Sequence, residues 1–159
     1  SEKSFNEASI QVIDLGWFIK DWSFNINGKY AILNGLEPRT ESVSDSGDLS
    51  CVSSVDEDWV SVNQMFKYYK FGYSKTTDFL NEEIRLNYIT RDDAIELAEK
   101  FDGNCSMRLI ETFCKYLDIS IDDFYETLIK ATNKELFQID YSEKIPKLTR
   151  KFKVGIGIQ

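Results

Sequence analysis

The sequence predicts a mainly α-helical fold, a compact array of short helices that leaves room for one or two short strands near the N-terminus. From Trp59 onward, apolar residues recur at steps of three or four, which is the spacing of one helix face. Residues that cap helices stand where these stripes begin and end. With 159 residues, 42% of them hydrophobic, the chain can build one compact core. We therefore expect a single domain over residues 1–159.

The first third of the chain holds two segments of different character. Residues 10–19 are apolar at both odd and even positions around Gly16, so a short buried strand and the start of a helix both fit. Residues 21–33 place apolar side chains at helical spacing, and Asn34-Gly35 would end such a helix. We expect a short helix in the second segment and leave the first open.

A long acidic loop is expected at residues 37–57. Between Glu37 and Asp58 the sequence has seven carboxylates and a single basic residue, and Ser, Pro and Gly separate its few apolar residues. The run 56–58 of three acids offers oxygen atoms of the kind that bind divalent metals. Such a run just before a helix is more typical of a helix N-terminus beside a solvated loop, so we expect no metal site.

Five helices are expected between this loop and residue 131. Short polar residues and glycines mark their ends: Gly72, Asn87, Thr90, Asp102, Gly103, Ser106 and Ser120. We expect Gly72 and Gly103 to adopt a positive φ as C-terminal caps. Beyond these helices, Lys144 to Lys153 contains five bases and no acid, which predicts a loose basic tail over residues 140–159, with an added edge strand as the alternative.

The composition excludes several classes of function. A formal net charge of -8 disfavours binding to the phosphate backbone, so we expect no nucleic-acid partner. No apolar run approaches the ~20 residues that a membrane-spanning helix needs, so we expect no membrane insertion. The chain has no histidine, and its three cysteines form no CxxC pair. Free thiols of this kind favour a reducing cytoplasm.

Five short motifs follow one another through the helical part of the chain: Lys70-Phe71-Gly72-Tyr73, Thr77-Asp78, Ile84-Arg85, Ile89-Thr90-Arg91 and Asp102-Gly103. In this order and spacing the chain resembles the C-terminal part of the N-acetyl sugar amidotransferases of lipopolysaccharide and flagellar glycan biosynthesis. Upstream, the stretch 15–20 with Trp22 and the acidic element 55–58 are similar to further motifs of that family. The resemblance covers about residues 10–130, with departures at Ser23 and Asn87.

The resemblance implies a larger enzyme of the asparagine synthetase-like ATP pyrophosphatase type. Such an enzyme would use ATP and Mg²⁺, and ammonia from a glutaminase subunit, to convert an acetamido group to an acetamidino group on a nucleotide-linked N-acetyl sugar. The SGGxDS phosphate loop of the family is not in this chain. We therefore expect a C-terminal fragment without the N-terminal ATP-binding domain, which by itself holds no cofactor and does not split ATP.

The resemblance also suggests substrate-binding residues. Lys70, Arg85 and Arg91 carry the cationic groups that would bind the diphosphate of a sugar nucleotide, and Thr77 and Asp78 are further candidates. Arg85 and Arg91 flank a short turn, so both side chains could converge on one ligand. Structural alternatives remain open: Arg85 could pair with Asp78, and Arg91 could lie on a solvated first turn. Thr77-Asp78 could open a helix. No catalytic residue and no metal ligand is suggested.

A competing interpretation is a non-catalytic helical docking module for the glutaminase or another partner subunit. A large exposed aromatic patch formed by Trp17, Trp22, Trp59 and Tyr68 would favour it.

Overall fold

The computed structural model of the protein describes residues 11–158. A 3₁₀-helix at Leu15–Phe18 opens this part of the chain. Seven α-helices and four short strands follow within it: α1 Phe24–Leu33, α2 Val43–Ser46, α3 Val60–Phe71, α4 Lys75–Arg85, α5 Arg91–Phe101, α6 Met107–Leu117, α7 Ile121–Ala131, β1 Phe137–Asp140, β2 Lys147–Arg150, β3 Phe152–Lys153 and β4 Gly157–Ile158. The mainly helical fold class is confirmed.

The main hydrophobic core lies where α3, α6 and α7 pack on one another. Its buried members come from one stripe of each helix: Val62, Met65, Ile110, Cys114, Phe124 and Leu128. Phe124 is 1% exposed and meets Phe66 edge to face, with the ring centroids 5.6 Å apart. This packing places the C-terminal ends of α3 and α7 together, because the Asn133 N–H donates a 2.9 Å hydrogen bond to the Tyr69 carbonyl.

A second, smaller core joins α4 to α5. Leu80 of α4 and Ala94 and Ala98 of α5 are buried against each other. The small alanine side chains allow the two helices to approach closely, and Leu49 and Val154 cover the cluster from outside the helix pair. The acidic segment and the C-terminal segment are therefore both anchored on this second core.

The helix ends follow the capping chemistry expected from the sequence. The Thr90 hydroxyl accepts a 3.2 Å hydrogen bond from the Asp93 N–H, and Ser120 forms a complete capping box with Asp123. Ser106 stands at the N-cap of α6 as expected but makes no capping hydrogen bond, and its hydroxyl is buried without a partner. Residues 10–19, left open between strand and helix, form the 3₁₀-helix in their described part.

The acidic segment 37–57 is less of a surface loop than its composition suggested. It contains the short helix α2, and Asp48 and Ser53 are only 7% and 6% exposed. Gly28 of α1 lies so close to this segment that a Cβ on it would approach Val52 Cγ2 to 2.6 Å. Of the apolar residues of this segment, Val52 packs against α1 and Leu49 packs against the cluster of α4 and α5.

The strands occur at the C-terminal end of the described chain and not near the N-terminus, where we had allowed for one or two. Strands β1 and β2 pair antiparallel with Phe137 opposite Arg150, and β3 pairs with β4. Phe137 is 1% exposed and contacts Tyr68, Tyr69 and Phe152. The packing of Phe137 orders a C-terminal segment that we had expected to be loose. The weak periodicity of that segment therefore did not mean that it lacks regular structure. No helix within residues 11–158 is long and apolar enough to span a membrane.

Candidate functional site

The start of α4 is held by the carboxylate of Asp102, the residue that follows α5. Asp102 Oδ1 accepts a 3.0 Å hydrogen bond from the Ser74 N–H and another from the Ser74 hydroxyl. Asp102 Oδ2 accepts a 2.6 Å hydrogen bond from the Thr77 hydroxyl. Since Ser74 is 2% exposed, these bonds satisfy donors that water does not reach. The Thr77 hydroxyl, a candidate substrate contact, is therefore already bonded within the protein.

Gly103 completes this junction between helices. Its φ is 78°, and a Cβ added to it would lie 2.3 Å from Cδ1 of Tyr68 in α3. The Gly103 N–H also donates a 3.2 Å hydrogen bond to the Ser74 hydroxyl. The positive φ expected at Gly103 and at Gly72 is confirmed. The Asp102-Gly103 motif thus joins α3, α4 and α5. Hydrogen bonding explains why the first position is an acid, and close packing explains why the second is a glycine.

Asp78 forms an ion pair with Lys67 of α3, whose ammonium lies 2.6 Å from the Asp78 carboxylate. Lys67 also lies over the Tyr73 ring, 4.7 Å from its centroid. Because the Asp78 side chain is 49% exposed, water screens this pair and its contribution to stability is small. Asp78 is therefore paired with Lys67, and the alternative pairing with Arg85 is not the one observed.

Arg85 lies in a cleft of about 400 Å³ between the end of α4 and the N-terminal segment. Lys20 and Trp22 line the same cleft, and the 3₁₀-helix contributes Gly16 to its wall. Trp22 is 51% exposed. The cleft, called here the Arg85 cleft, thus brings together two elements that the family resemblance had marked separately, the stretch 15–22 and the Ile84-Arg85 motif.

The acidic and the basic residues of the Arg85 cleft differ in whether they have partners within the described chain. Its two acids already accept hydrogen bonds: Asp14 from the Gly16 N–H at 3.0 Å, and Glu82 from the Phe24 N–H at 3.0 Å. Neither Lys20 nor Arg85 forms an ion pair or a side-chain hydrogen bond with the residues that the structure describes. The two cations are therefore available to an anionic ligand, whereas the acids are occupied as caps of the 3₁₀-helix and α1.

The remaining two candidate bases do not join Arg85. Arg91 donates a 2.8 Å hydrogen bond to the Gly155 carbonyl and, with Thr77, lines a small cavity of about 120 Å³ under the C-terminal segment. Lys70 lies at the last turn of α3 on the rim of a different, apolar groove. Arg85 and Arg91, which the sequence allowed to converge on one ligand, thus line two separate cavities in the structure.

Arg39 is an organising residue that the sequence analysis missed. Its guanidinium donates a 3.1 Å hydrogen bond to the Ser53 carbonyl and further bonds to the carbonyls of Ser54 and Glu57. The Arg39 side chain is 7% exposed. Cys51 and Ser54, in the segment that it holds, have positive φ values of 56° and 48°. The signal in the sequence was that Arg39 is the single base among seven acids between Glu37 and Asp58.

Two buried acids are a further feature that no sequence motif indicated. Asp48 and Glu83 are each 7% exposed, and each has one carboxylate oxygen without a hydrogen-bond partner within the described chain. The other oxygen of Glu83 accepts a 3.0 Å hydrogen bond from the Asn25 side chain. Nearby, burial lowers the pKa of the Lys75 ammonium, an effect that Asp48 opposes and Arg39 reinforces.

The described residues offer no arrangement suited to a metal ion: no group of three or more Cys, Asp or Glu side chains is gathered at one point. Of the four aromatic residues proposed for a docking patch, the side chain of Trp17 lies outside the described part of the chain, and two of the other three are covered by their neighbours. Tyr68 is 8% exposed, and Trp59 stacks on Tyr116 with a centroid distance of 4.5 Å.

Comparison with known proteins identifies the family. Residues 39–153 match the family described as "LPS biosynthesis protein WbpG-like, C-terminal domain". No curated protein and no solved structure gave a significant match. The matched segment contains all five motifs on which the resemblance rested, so the resemblance is confirmed, while the Lys20 side of the Arg85 cleft precedes the match. The chain therefore belongs to the WbpG-like C-terminal domain family of lipopolysaccharide biosynthesis proteins.

Proposed function

We propose that this chain is the substrate-binding part of an ATP- and ammonia-dependent amidotransferase that acts on a nucleotide-linked N-acetyl sugar. The observation that carries the proposal is the Arg85 cleft, which brings together an exposed tryptophan and two cations that have no ion-pair partner among residues 11–158. The enzyme would convert the acetamido group of the sugar to an acetamidino group in the cytoplasm. A glutaminase subunit would supply the ammonia.

The chemistry of the cleft supports a sugar nucleotide as the ligand. The diphosphate of such a ligand carries two negative charges, and the guanidinium of Arg85 and the ammonium of Lys20 provide charge-assisted donors for it. An exposed indole such as that of Trp22 offers a face on which a base stacks. The volume of about 400 Å³ lies within the range of roughly 300–1,000 Å³ that is usual for small-molecule sites.

In this proposal the described residues bind and orient the substrate and take no covalent part in the reaction. The acetamido oxygen would attack the α-phosphorus of ATP and release pyrophosphate, and ammonia would then displace AMP from the carbon. ATP, with its Mg²⁺, would be held elsewhere in the larger protein. Holding the diphosphate fixes the distance from the anchored nucleotide to the acetamido group, which is the positioning that such a reaction needs.

The test is calorimetric titration of the protein that includes the ATP-binding domain with a UDP-linked N-acetyl sugar and with a CMP-linked nonulosonate. We expect Arg85→Ala and Lys20→Ala each to raise the Kd for one of these ligands at least tenfold. Lys130→Ala is the matched control, because Lys130 is an exposed lysine whose partner is Glu126 on its own helix. Equal binding by all four proteins would move the substrate site away from the Arg85 cleft.

A further inference from the structure

An apolar groove of about 670 Å³ lies away from the Arg85 cleft. One wall is a face of α3 and carries Val62, Phe66 and Phe71. The other wall is a face of α7, where Phe124, Thr127 and Ala131 recur at steps of three and four. The end of α6 closes the groove with Leu117, and this groove is called here the α3–α7 groove.

The α3–α7 groove is shaped for a helix. Its α3 wall runs the length of a helix of 12 residues, about 18 Å at 1.5 Å per residue. Helices α3, α6 and α7 pack on one another, and a groove between two helices of such a unit is where the fourth helix of a bundle would lie. Phe71 and Leu117 are 57% and 47% exposed although both are apolar, so apolar surface remains uncovered along the groove.

The two ends of the groove carry opposite charge. Lys70 lies on the rim at the C-terminal end of α3 and has no ion-pair partner within the described chain. Its neighbour Lys67 is neutralised by Asp78. Glu57 lies on the rim and precedes the N-terminal end of α3. A helix in the groove would therefore meet a positive charge at one end and a negative charge at the other.

The helix dipoles select the same orientation as these charges. The C-terminal ends of α3 and α7 lie together, so their negative dipole ends both face the Lys70 end of the groove. A helix that runs antiparallel to α3 would place its positive N-terminal end there. Acidic residues are favoured in the first turn of a helix and basic residues in the last, and such a helix would present its acids to Lys70 and its bases to Glu57.

We propose that the α3–α7 groove binds an amphipathic helix of another polypeptide, antiparallel to α3, with an acidic first turn and a basic last turn. The apolar face of that helix would carry side chains at steps of three and four that fill the space between Phe66 and Ala131. The inference does not depend on the proposed function, because the groove and the Arg85 cleft share no lining residue.

The probe is a pair of labelled synthetic peptides of about four helical turns, with leucines on one face. One has glutamates in its first turn and lysines in its last turn, and in the other these charges are exchanged. Fluorescence anisotropy with the 159-residue chain is expected to show saturable binding of the first peptide, and two- to fivefold weaker binding of the second, since exposed charge pairs contribute little. Lys70→Glu is expected to reverse this preference, whereas Lys130→Glu should leave it unchanged.

A substitution that blocks the groove tests whether the peptide binds in the groove or binds nonspecifically elsewhere on the surface. Thr127 is exposed on the α7 wall, so Thr127→Trp fills the groove without touching the core, and we expect it to weaken the first peptide at least tenfold. Glu126→Trp adds the same side chain at the neighbouring exposed position, which does not line the groove, and should bind as the parent chain does. Arg85→Ala should also bind the peptide normally.

Four outcomes would overturn the proposal. The first is the absence of saturable binding by either peptide. The second is equal binding of both peptides that Thr127→Trp does not weaken. The third is self-association of the chain, measured by sedimentation, that Thr127→Trp abolishes, because a second copy would then occupy the groove. The fourth is displacement of the bound first peptide by dodecanoate at micromolar concentration, together with no effect of Lys70→Glu on which peptide binds more tightly. That result would mean that the groove binds a small amphiphile and not an oriented helix.

Discussion

The hydroxyl of Thr77, in the first turn of α4, donates a 2.6 Å hydrogen bond to the carboxylate of Asp102, the residue that ends α5. Ser74 donates to the same carboxylate, so one acidic side chain fixes how two consecutive helices meet. The pairing also explains why Ser74, at the N-cap of α4, makes no capping bond of its own.

Removal of this carboxylate is expected to destabilise the fold. Asp102→Ala leaves the Ser74 and Thr77 donors without their acceptor, and an unpaired buried donor costs roughly 1–3 kcal/mol. We expect the free energy of unfolding in urea to fall by about 2–3 kcal/mol. Glu96→Ala changes an exposed acid of the same helix and should shift stability by less than ~0.5 kcal/mol. Equal effects of the two substitutions would mean that the Asp102 bonds contribute little.

Gly103 is expected to be the least replaceable glycine of the chain. Gly103→Ala adds a Cβ that would lie 2.3 Å from Tyr68, and it places a residue with a side chain at a φ of 78°. The clash and the backbone strain together cost roughly 2–4 kcal/mol. Gly157→Ala has a φ of 96° but no atom within 4 Å of the new Cβ, so only the backbone term of ~1–2 kcal/mol applies. Thermal unfolding of both variants measures the difference.

Arg39 is expected to hold the acidic segment in place. Arg39→Lys cannot reproduce a fork that reaches three carbonyls, and a lost hydrogen bond from a charged group is worth roughly 1.5–3 kcal/mol. We expect faster proteolysis within residues 48–58 and a lower melting temperature. Arg108→Ala is the control, since Arg108 is 63% exposed and reaches Glu41 only at 3.5 Å. Unchanged cleavage kinetics in Arg39→Lys would show that the segment is held by its other contacts.

Stability is expected to decline in alkaline solution. Burial, reinforced by Tyr68 and Tyr125, raises the pKa of Tyr69 to about 12 from its ordinary value near 10, and burial raises the pKa of Cys105 to about 12 from about 9. Because both groups hold their protons more tightly in the folded chain, the folded state is favoured below pH 9 and this advantage is lost between pH 9 and 12.

The contribution of Tyr69 can be isolated by substitution. Tyr69→Phe removes the phenol and should make the decline in urea midpoint between pH 10 and 12 shallower. Tyr116→Phe, at a side chain that is 69% exposed, should leave the slope of the parent chain unchanged. Identical slopes for all three proteins would mean that Tyr69 does not titrate as a buried group.

The family motifs named Arg85 but not Lys20, the other cation of the Arg85 cleft. Arg85 does line a cleft with unpaired cations, and Thr77 and Asp78 are engaged within the protein at the start of α4. The contribution of Lys20 was not expected, because it lies more than sixty residues from Arg85 along the chain. The sequence left the C-terminal segment open between a loose tail and an added edge strand, because the contacts of Phe137 with Tyr68 and Tyr69 join residues that are distant in the chain.

The sequence by itself determined the five helices between residues 59 and 131, because a cap joins residues only a few positions apart, as Ser120 and Asp123 do. Only the tertiary structure decided that Arg85 shares a cleft with Lys20 while Arg91 turns to Gly155. Which side chains converge depends on how helices pack, and that packing follows from many contacts between distant residues that no single stretch of sequence encodes.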